Sequence, residues 1–282
     1  MARRLSSAVP SRKISAKPSY KSKSSLQTVQ GIKVKKGVNA GTNFIIGHRG
    51  AARHAPENTL ASLKKAAALG ASWVEFDAKL TADGVVILMH DDTLDRTSTG
   101  KGPVAHQTAD QLARLDAGSW FGKNFKGEKI PTLEAVIDCL KSLDLGANVE
   151  IKPCPGREEE TGCAVADTLM KQWPTSLPPP LLSSFKAQAL MGAKAVAPGL
   201  ERAYLLDRHG GEWEETCHQL GCKGLHLWHG LVTSPSFVTK VHAAGMAARV
   251  YTVNSLARAR LLLDWDIDGI VTDDLLALAP LL

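Results

Sequence analysis

No apolar run in this sequence approaches the roughly 18 residues that a helix needs to cross a bilayer. Arg, Lys or Asp interrupts the longest candidates every few positions, so no transmembrane segment is expected. A secretory hydrophobic core is equally missing. Cysteine is sparse: Cys139, Cys154, Cys163, Cys217 and Cys222 are odd in number and form no Cys-x-x-Cys pair. A disulfide scaffold is therefore excluded and a zinc site is not expected; the cysteines read as free thiols in a reducing compartment, and the expected location is cytoplasmic. Acid is absent from residues 1–43, which hold ten of the 34 Lys and Arg.

That last absence explains the overall charge. The formal net charge is +6, yet residues 44–282 keep 24 basic against 28 acidic residues, a balance of −4. The basicity belongs to a Ser-rich tail without apolar periodicity, which reads as a disordered extension. Its composition also fits an organelle transit peptide or an electrostatic arm for RNA or membrane. The acidic remainder makes nucleic acid an unexpected partner. With 282 residues, 44% hydrophobic and 22% charged, the chain has room for one large globular domain or two small ones.

From Phe44 onward, β-branched runs alternate with helix-like segments. Nine runs read as strands, at residues 44–47, 73–77, 85–90, 148–152, 181–184, 202–206, 224–227, 248–253 and 269–272. A helix is expected over 60–69, with Leu60, Leu63 and Ala67 on one face and Gly70 as its stop. Another follows Pro131-Thr132 with Leu133, Val136, Ile137 and Leu140 as its stripe, and a third follows Ser255. Residues 78–84 are too short for a parallel crossover, whereas Ala82-Asp83-Gly84 suits a hairpin. The third run is thus an antiparallel return. Eight parallel strands remain, which predicts an α/β (β/α)8 TIM barrel over 44–282. Residues 92–130 lack a clean helical period and read as a small insertion over the barrel mouth.

Working residues of such barrels gather at the carboxyl ends of strands. Here those ends read Gly47-His48-Arg49-Gly50, Glu75-Phe76-Asp77, His90-Asp91-Asp92 and Glu150-Ile151-Lys152. Strand alternation puts Glu75 and Asp77 on one face, and likewise Glu150 and Lys152. A turn centred near Asp83 sets residues whose numbers sum to about 166 opposite each other, which brings His90 level with Phe76. Three clustered carboxylates repel unless a cation holds them, and an all-oxygen set with spare positions suits Mg2+ or Ca2+. Arg49 and Lys152 complement a phosphate, and two imidazoles serve as base and acid. Phosphodiester cleavage needs all of these roles.

The motifs HRGAARHAPENTLAS (48–62), VEFDAKLTADGVVILMHDDTLDRTSTG (74–100), IPTLEAV (130–136), VEIKP (149–153), SSF (183–185), YTVN (251–254) and DGIVTDD (268–274) closely resemble the glycerophosphodiester phosphodiesterase family, its bacterial cytosolic branch most of all. The resemblance implies metal-dependent hydrolysis of substrates such as glycerophosphocholine or glycerophosphoethanolamine to sn-glycerol 3-phosphate and an alcohol. It matches His48 and His90 to the acid/base pair, Glu75, Asp77 and Glu150 to the metal ligands, and Arg49 and Lys152 to the phosphate contacts. Glu57, Asn58, Tyr251 and Asn254 are further expected contacts to a small-molecule substrate. Two positions depart from the common pattern: Tyr251 stands where many members carry Trp, and Lys186 follows Phe185 where many place an acid. Cleavage of lysophospholipids in the manner of a lysophospholipase D is the alternative activity, and RNA or membrane binding through the tail a distant one. The histidine roles, direct water attack against a cyclic phosphate, and the oligomeric state stay open at this level.

Overall fold

β-branched strands and amphipathic helices alternate in the computed structural model, which describes residues 44–208, 210 and 212–282; the basic segment 1–43 lies outside the described residues. The strands are β1 (Phe44–Gly47), β2 (Trp73–Leu80), β3 (Val86–Leu88), β4 (Gly146–Ile151), β5 (Leu181–Ser184), β6 (Glu201–Leu206), β7 (Gly224–Trp228), β8 (Ala247–Tyr251) and β9 (Gly269–Thr272). The helices are α1 (Leu60–Ala68), α2 (Ala109–Leu112), α3 (Leu133–Leu143), α4 (Glu158–Gln172), α5 (Ala187–Val196), α6 (Trp213–Leu220), α7 (Pro235–Ala243) and α8 (Leu256–Leu263). Parallel pairing runs β1-β9-β8-β7-β6-β5-β4-β2, and a further β1–β2 pairing closes the ring. The eight-stranded parallel barrel follows, with helices in its connections. Among the described residues, no helix is long and apolar enough to cross a membrane.

The helices form where caps and stripes agree. Thr132 accepts a hydrogen bond from the Ala135 amide and starts α3, which buries Leu133, Val136, Ile137 and Leu140. Thr59 caps α1 in the same way, and Leu63 and Ala66 face the core. At the hairpin, Gly84 adopts φ +81°, and the Val85 amide donates to Thr81 Oγ1 at 2.9 Å. The register Ala78↔Leu88, Lys79↔Ile87, Leu80↔Val86 keeps the expected sum. β3 is nevertheless shorter than the run 85–90. The Met89 amide still reaches the Asp77 carbonyl at 3.0 Å, and the chain then turns away, so His90 leaves the ladder at the mouth.

The insertion has its own small core, in which Ile87, Met89, Leu94, Val104, Leu112 and Ile130 are buried together. Short segments build it: α2 and single 3-10 turns at Val104–His106 and Lys123–Phe125. Lys79, fully buried on β2, pins the insertion by donating to Asp92 at 2.7 Å. A buried ammonium needs such a partner.

Candidate active site

The turn after β1 is built tightly. Arg49 takes φ +48° and Gly50 φ +86°, and a Cβ on Gly50 would lie 2.6 Å from Ser62 Oγ. That hydroxyl donates to the Arg49 carbonyl and accepts from the Ala51 amide, both at 2.8 Å. Positive φ at a non-glycine residue costs energy that the surroundings must hold. Here it turns the Arg49 amide onto Glu75 Oε2 at 3.0 Å.

Below this turn stand the carboxylates. Glu75 and Asp77 on β2 and Glu150 on β4 bring ligand atoms within 4.8 Å of one another. The register sets Asp77 beside Glu150. Burial, reinforced by Asp77 and Glu150, pushes the Glu75 carboxyl up to about 8, although His48 pulls the other way. Burial and then Asp77 also raise Glu150. Burial works against the Asp77 charge too, yet Arg49, Lys152 and His90 outweigh it and hold this group down at about 2. Glu75 Oε1 is buried without a hydrogen-bond partner among the described residues. An orphaned carboxylate oxygen beside two further carboxylates fits a hard divalent cation, whose charge would relieve the repulsion.

Two cations and two imidazoles surround the cluster. Arg49 Nε lies 3.2 Å from Asp77 Oδ2, and Lys152 Nζ donates to Glu150 Oε1 at 2.9 Å. His48 Nε2 is 3.8 Å from Glu75 Oε2, and its Nδ1 lies 2.6 Å from Asp273 Oδ1. Burial and then the His48 contact dominate at Asp273, and the contact wins, so that carboxylate is ionised and His48 Nδ1 donates. His90 Nδ1 faces Asp91 Oδ1 at 2.7 Å in the same manner. Each imidazole therefore presents Nε2 to the mouth with its tautomer fixed by an aspartate. Burial would lower His48, but Asp273 and Glu75 leave it raised; burial leads the lowering of His90, helped by Arg49 and Lys152.

The four further expected contacts have their polar atoms engaged by the protein. Asn58 donates to Asp77 Oδ2 at 2.8 Å and accepts from the Asp77 amide at 3.1 Å. Glu57 accepts from Arg49 Nη1 at 2.6 Å and, through both oxygens, from Arg96 at 2.8 Å. Tyr251 donates to the Leu206 carbonyl at 2.8 Å, and Asn254 donates to Asp273 Oδ2 at 2.8 Å. In this geometry they orient other groups. Sequence reasoning assigned no role to Asp273, Asp91 and Arg96. Arg96, from the insertion, bonds Asp91 at 2.7 Å and 3.0 Å as well as Glu57. One guanidinium thus ties the carboxylate behind His90 to the one behind Arg49. The signal available was the acid directly after His90 and the acidic pair closing the 268–274 motif.

A buried acidic triad with two aspartate-oriented imidazoles and two cations can bind a phosphoryl group and move protons on both sides of it. Comparison with known proteins agrees. The model of the glycerophosphoryl diester phosphodiesterase family matches residues 48–277. A glycerophosphodiester phosphodiesterase of Caldanaerobacter subterraneus subsp. tengcongensis is 33% identical over 235 residues, spanning 82% of this chain and 94% of that one. The structure of an Oleispira antarctica phosphodiesterase in complex with the product sn-glycerol-3-phosphate is 39% identical, covers 82% of this chain and 93% of that one, and superposes with a TM-score of 0.78. An Agrobacterium tumefaciens glycerophosphodiester phosphodiesterase is 29% identical over 84% of this chain and 99% of its own, with a TM-score of 0.72. The chain is thus a phosphodiester hydrolase, and it belongs to the glycerophosphoryl diester phosphodiesterase family.

Proposed function

We propose that this enzyme hydrolyses glycerophosphodiesters to sn-glycerol 3-phosphate and a free alcohol at the mouth of the barrel. The observation that carries the reading is the buried Glu75, Asp77 and Glu150 set with an orphaned oxygen, flanked by His48 and His90. These three carboxylates hold Mg2+ or Ca2+, which when bound neutralises charge on the phosphoryl oxygens. Arg49 and Lys152 bind the phosphate as charge-assisted donors. Asn58 orients Asp77, while Glu57 and Arg96 orient Arg49. His48 and His90 act as the acid/base pair, one accepting a proton from the nucleophile and the other protonating the departing alkoxide. Asp273 and Asp91 stabilise the corresponding imidazolium forms.

Release of glycerol 3-phosphate from purified diesters, with EDTA and then with Mg2+ or Ca2+ restored, tests the reading. Release abolished by the chelator and recovered with metal is expected. Folded protein that releases no glycerol 3-phosphate under any metal sinks it.

A further inference from the structure

Lys152 also lines a cavity of about 670 Å3 that opens between the ends of β5 and β6. Phe185, Tyr204, Leu206 and Trp213 form its walls, and Lys186, Asp207, Arg208 and Glu212 bring charge to it. On the opposite side, the pocket beneath Glu57, His90 and Thr97 has room for about 10 Å3. Of these two pockets, the cavity at β5 and β6 is the one with room for the variable half of a diester bound at Lys152.

The chemistry of this cavity selects among alcohols. Aromatic faces are the usual seat for a quaternary ammonium. Two of the three aromatic rings here already carry the protein's own cations: Lys152 Nζ lies 5.4 Å from the Phe185 ring centre, and Lys240 Nζ lies 5.3 Å from that of Trp213. Asp207 pairs with Arg208 at 3.0 Å. Among the described residues, Lys186 and Glu212 are the charges left, both exposed. Their places differ. Lys186 directly follows Phe185, the ring that Lys152 faces, whereas Glu212 precedes α6 on the β6 side of the cavity. The nitrogen of choline or ethanolamine sits two carbons from the ester oxygen, and so stays at the end of the cavity that Lys152, Phe185 and Lys186 line. A polyol suits the cavity at both ends, with hydroxyls that accept from Lys186 and others that reach across to donate to Glu212.

We infer that the cavity between β5 and β6 is the leaving-alcohol subsite, and that Lys186 makes it prefer hydroxylated alcohols without a cation over choline and ethanolamine. This rests on the hydrolase reading above and deepens it. The test compares kcat/KM for glycerophosphoglycerol, glycerophosphoinositol and glycerophosphocholine, each read as glycerol 3-phosphate release. Wild type should favour both polyol diesters by at least about fivefold, the effect of one unit charge near a solvated rim. Lys186→Glu should shift the ratio toward glycerophosphocholine by a similar factor, with Lys186→Gln between the two. Lys186 is exposed, so both variants are expected to fold, and matching circular dichroism spectra check this. Glycerophosphocholine as the better substrate of wild type, or a ratio unmoved by Lys186→Glu, overturns the subsite while leaving the hydrolase reading intact. No glycerol 3-phosphate from any diester overturns both.

Discussion

His48 is held by a chain of hydrogen bonds that fixes every amide orientation in it. Asn254 Oδ1 accepts from Thr272 Oγ1 at 3.0 Å and from the Asp273 amide at 2.9 Å, which forces Asn254 Nδ2 onto Asp273 Oδ2. Consider Asp273→Asn. Its carbonyl oxygen must face Asn254, so its NH2 faces His48 Nδ1 and moves the imidazole proton to Nε2. Turnover should then fall by about a thousandfold or more with folding unchanged, by the tautomer effect known from serine proteases. A loss under tenfold would show that Asp273 does not set the tautomer. His48→Ala or His90→Ala should cost at least about a hundredfold in kcat, and near-wild-type rates would remove either imidazole from the mechanism. Glu75 yields a pH prediction. Its folded value of about 8 lies above the ordinary 4.5, so its contribution to stability is present below 4.5 and is lost as pH rises toward 8. A cation takes the ionised form, so binding should release a proton and raise the melting temperature more at pH 8 than at pH 6. Titration calorimetry in two buffers of different ionisation enthalpy measures that proton; equal heats, with no pH dependence of the melting shift, would contradict it.

Helix α4 meets α5 through two glycines. A Cβ on Gly162 would sit 1.9 Å from the Ala189 carbonyl oxygen, and one on Gly192 would sit 2.3 Å from that of Glu159. Backbone atoms cannot swing aside as a long side chain can. Replacing an interior helical glycine by alanine ordinarily stabilises by about 1 kcal/mol. Gly162→Ala should reverse that sign and cost about 1–3 kcal/mol by overpacking. Urea unfolding measures it, and a stabilised variant would mean that the two helices separate freely. Local patterns of this kind were only partly readable beforehand. The turn at Asp83-Gly84 sets the register of β2 with β3 by itself, which is why pairs summing to 166 appear in the hairpin. The stripes of α1 and α3 were equally visible, because helical periodicity is local. The supports of the site were not. Asp273 reaches His48 across 225 residues because β9 closes onto β1, and Arg96 reaches Glu57 across 39 residues from an insertion without a period. Such partners depend on ring closure and on loop packing, which local periodicity does not encode.

At the scale of the whole molecule, the charge is divided unevenly along the sequence. Residues 44–282 carry −4 and contain the closed barrel, the three carboxylates, both imidazoles, Arg49 and Lys152. The family match begins at residue 48 and ends at residue 277. Every strand of the ring finds both neighbours inside this stretch, so closure asks nothing of residues 1–43. A chain of residues 44–282 should therefore keep the melting temperature and kcat of the full protein. The ten basic residues would then act only through the long-range field, which alters encounter rates with an anionic substrate and fades as salt screens it. In consequence kcat/KM should fall by no more than about threefold at low ionic strength, and the difference should vanish at about 0.15 M salt. Steady-state assays of the two proteins at both ionic strengths decide the matter. A tenfold loss of kcat that persists in salt would mean that residues 1–43 contribute to the site directly, and the self-sufficiency of the barrel would have to be given up.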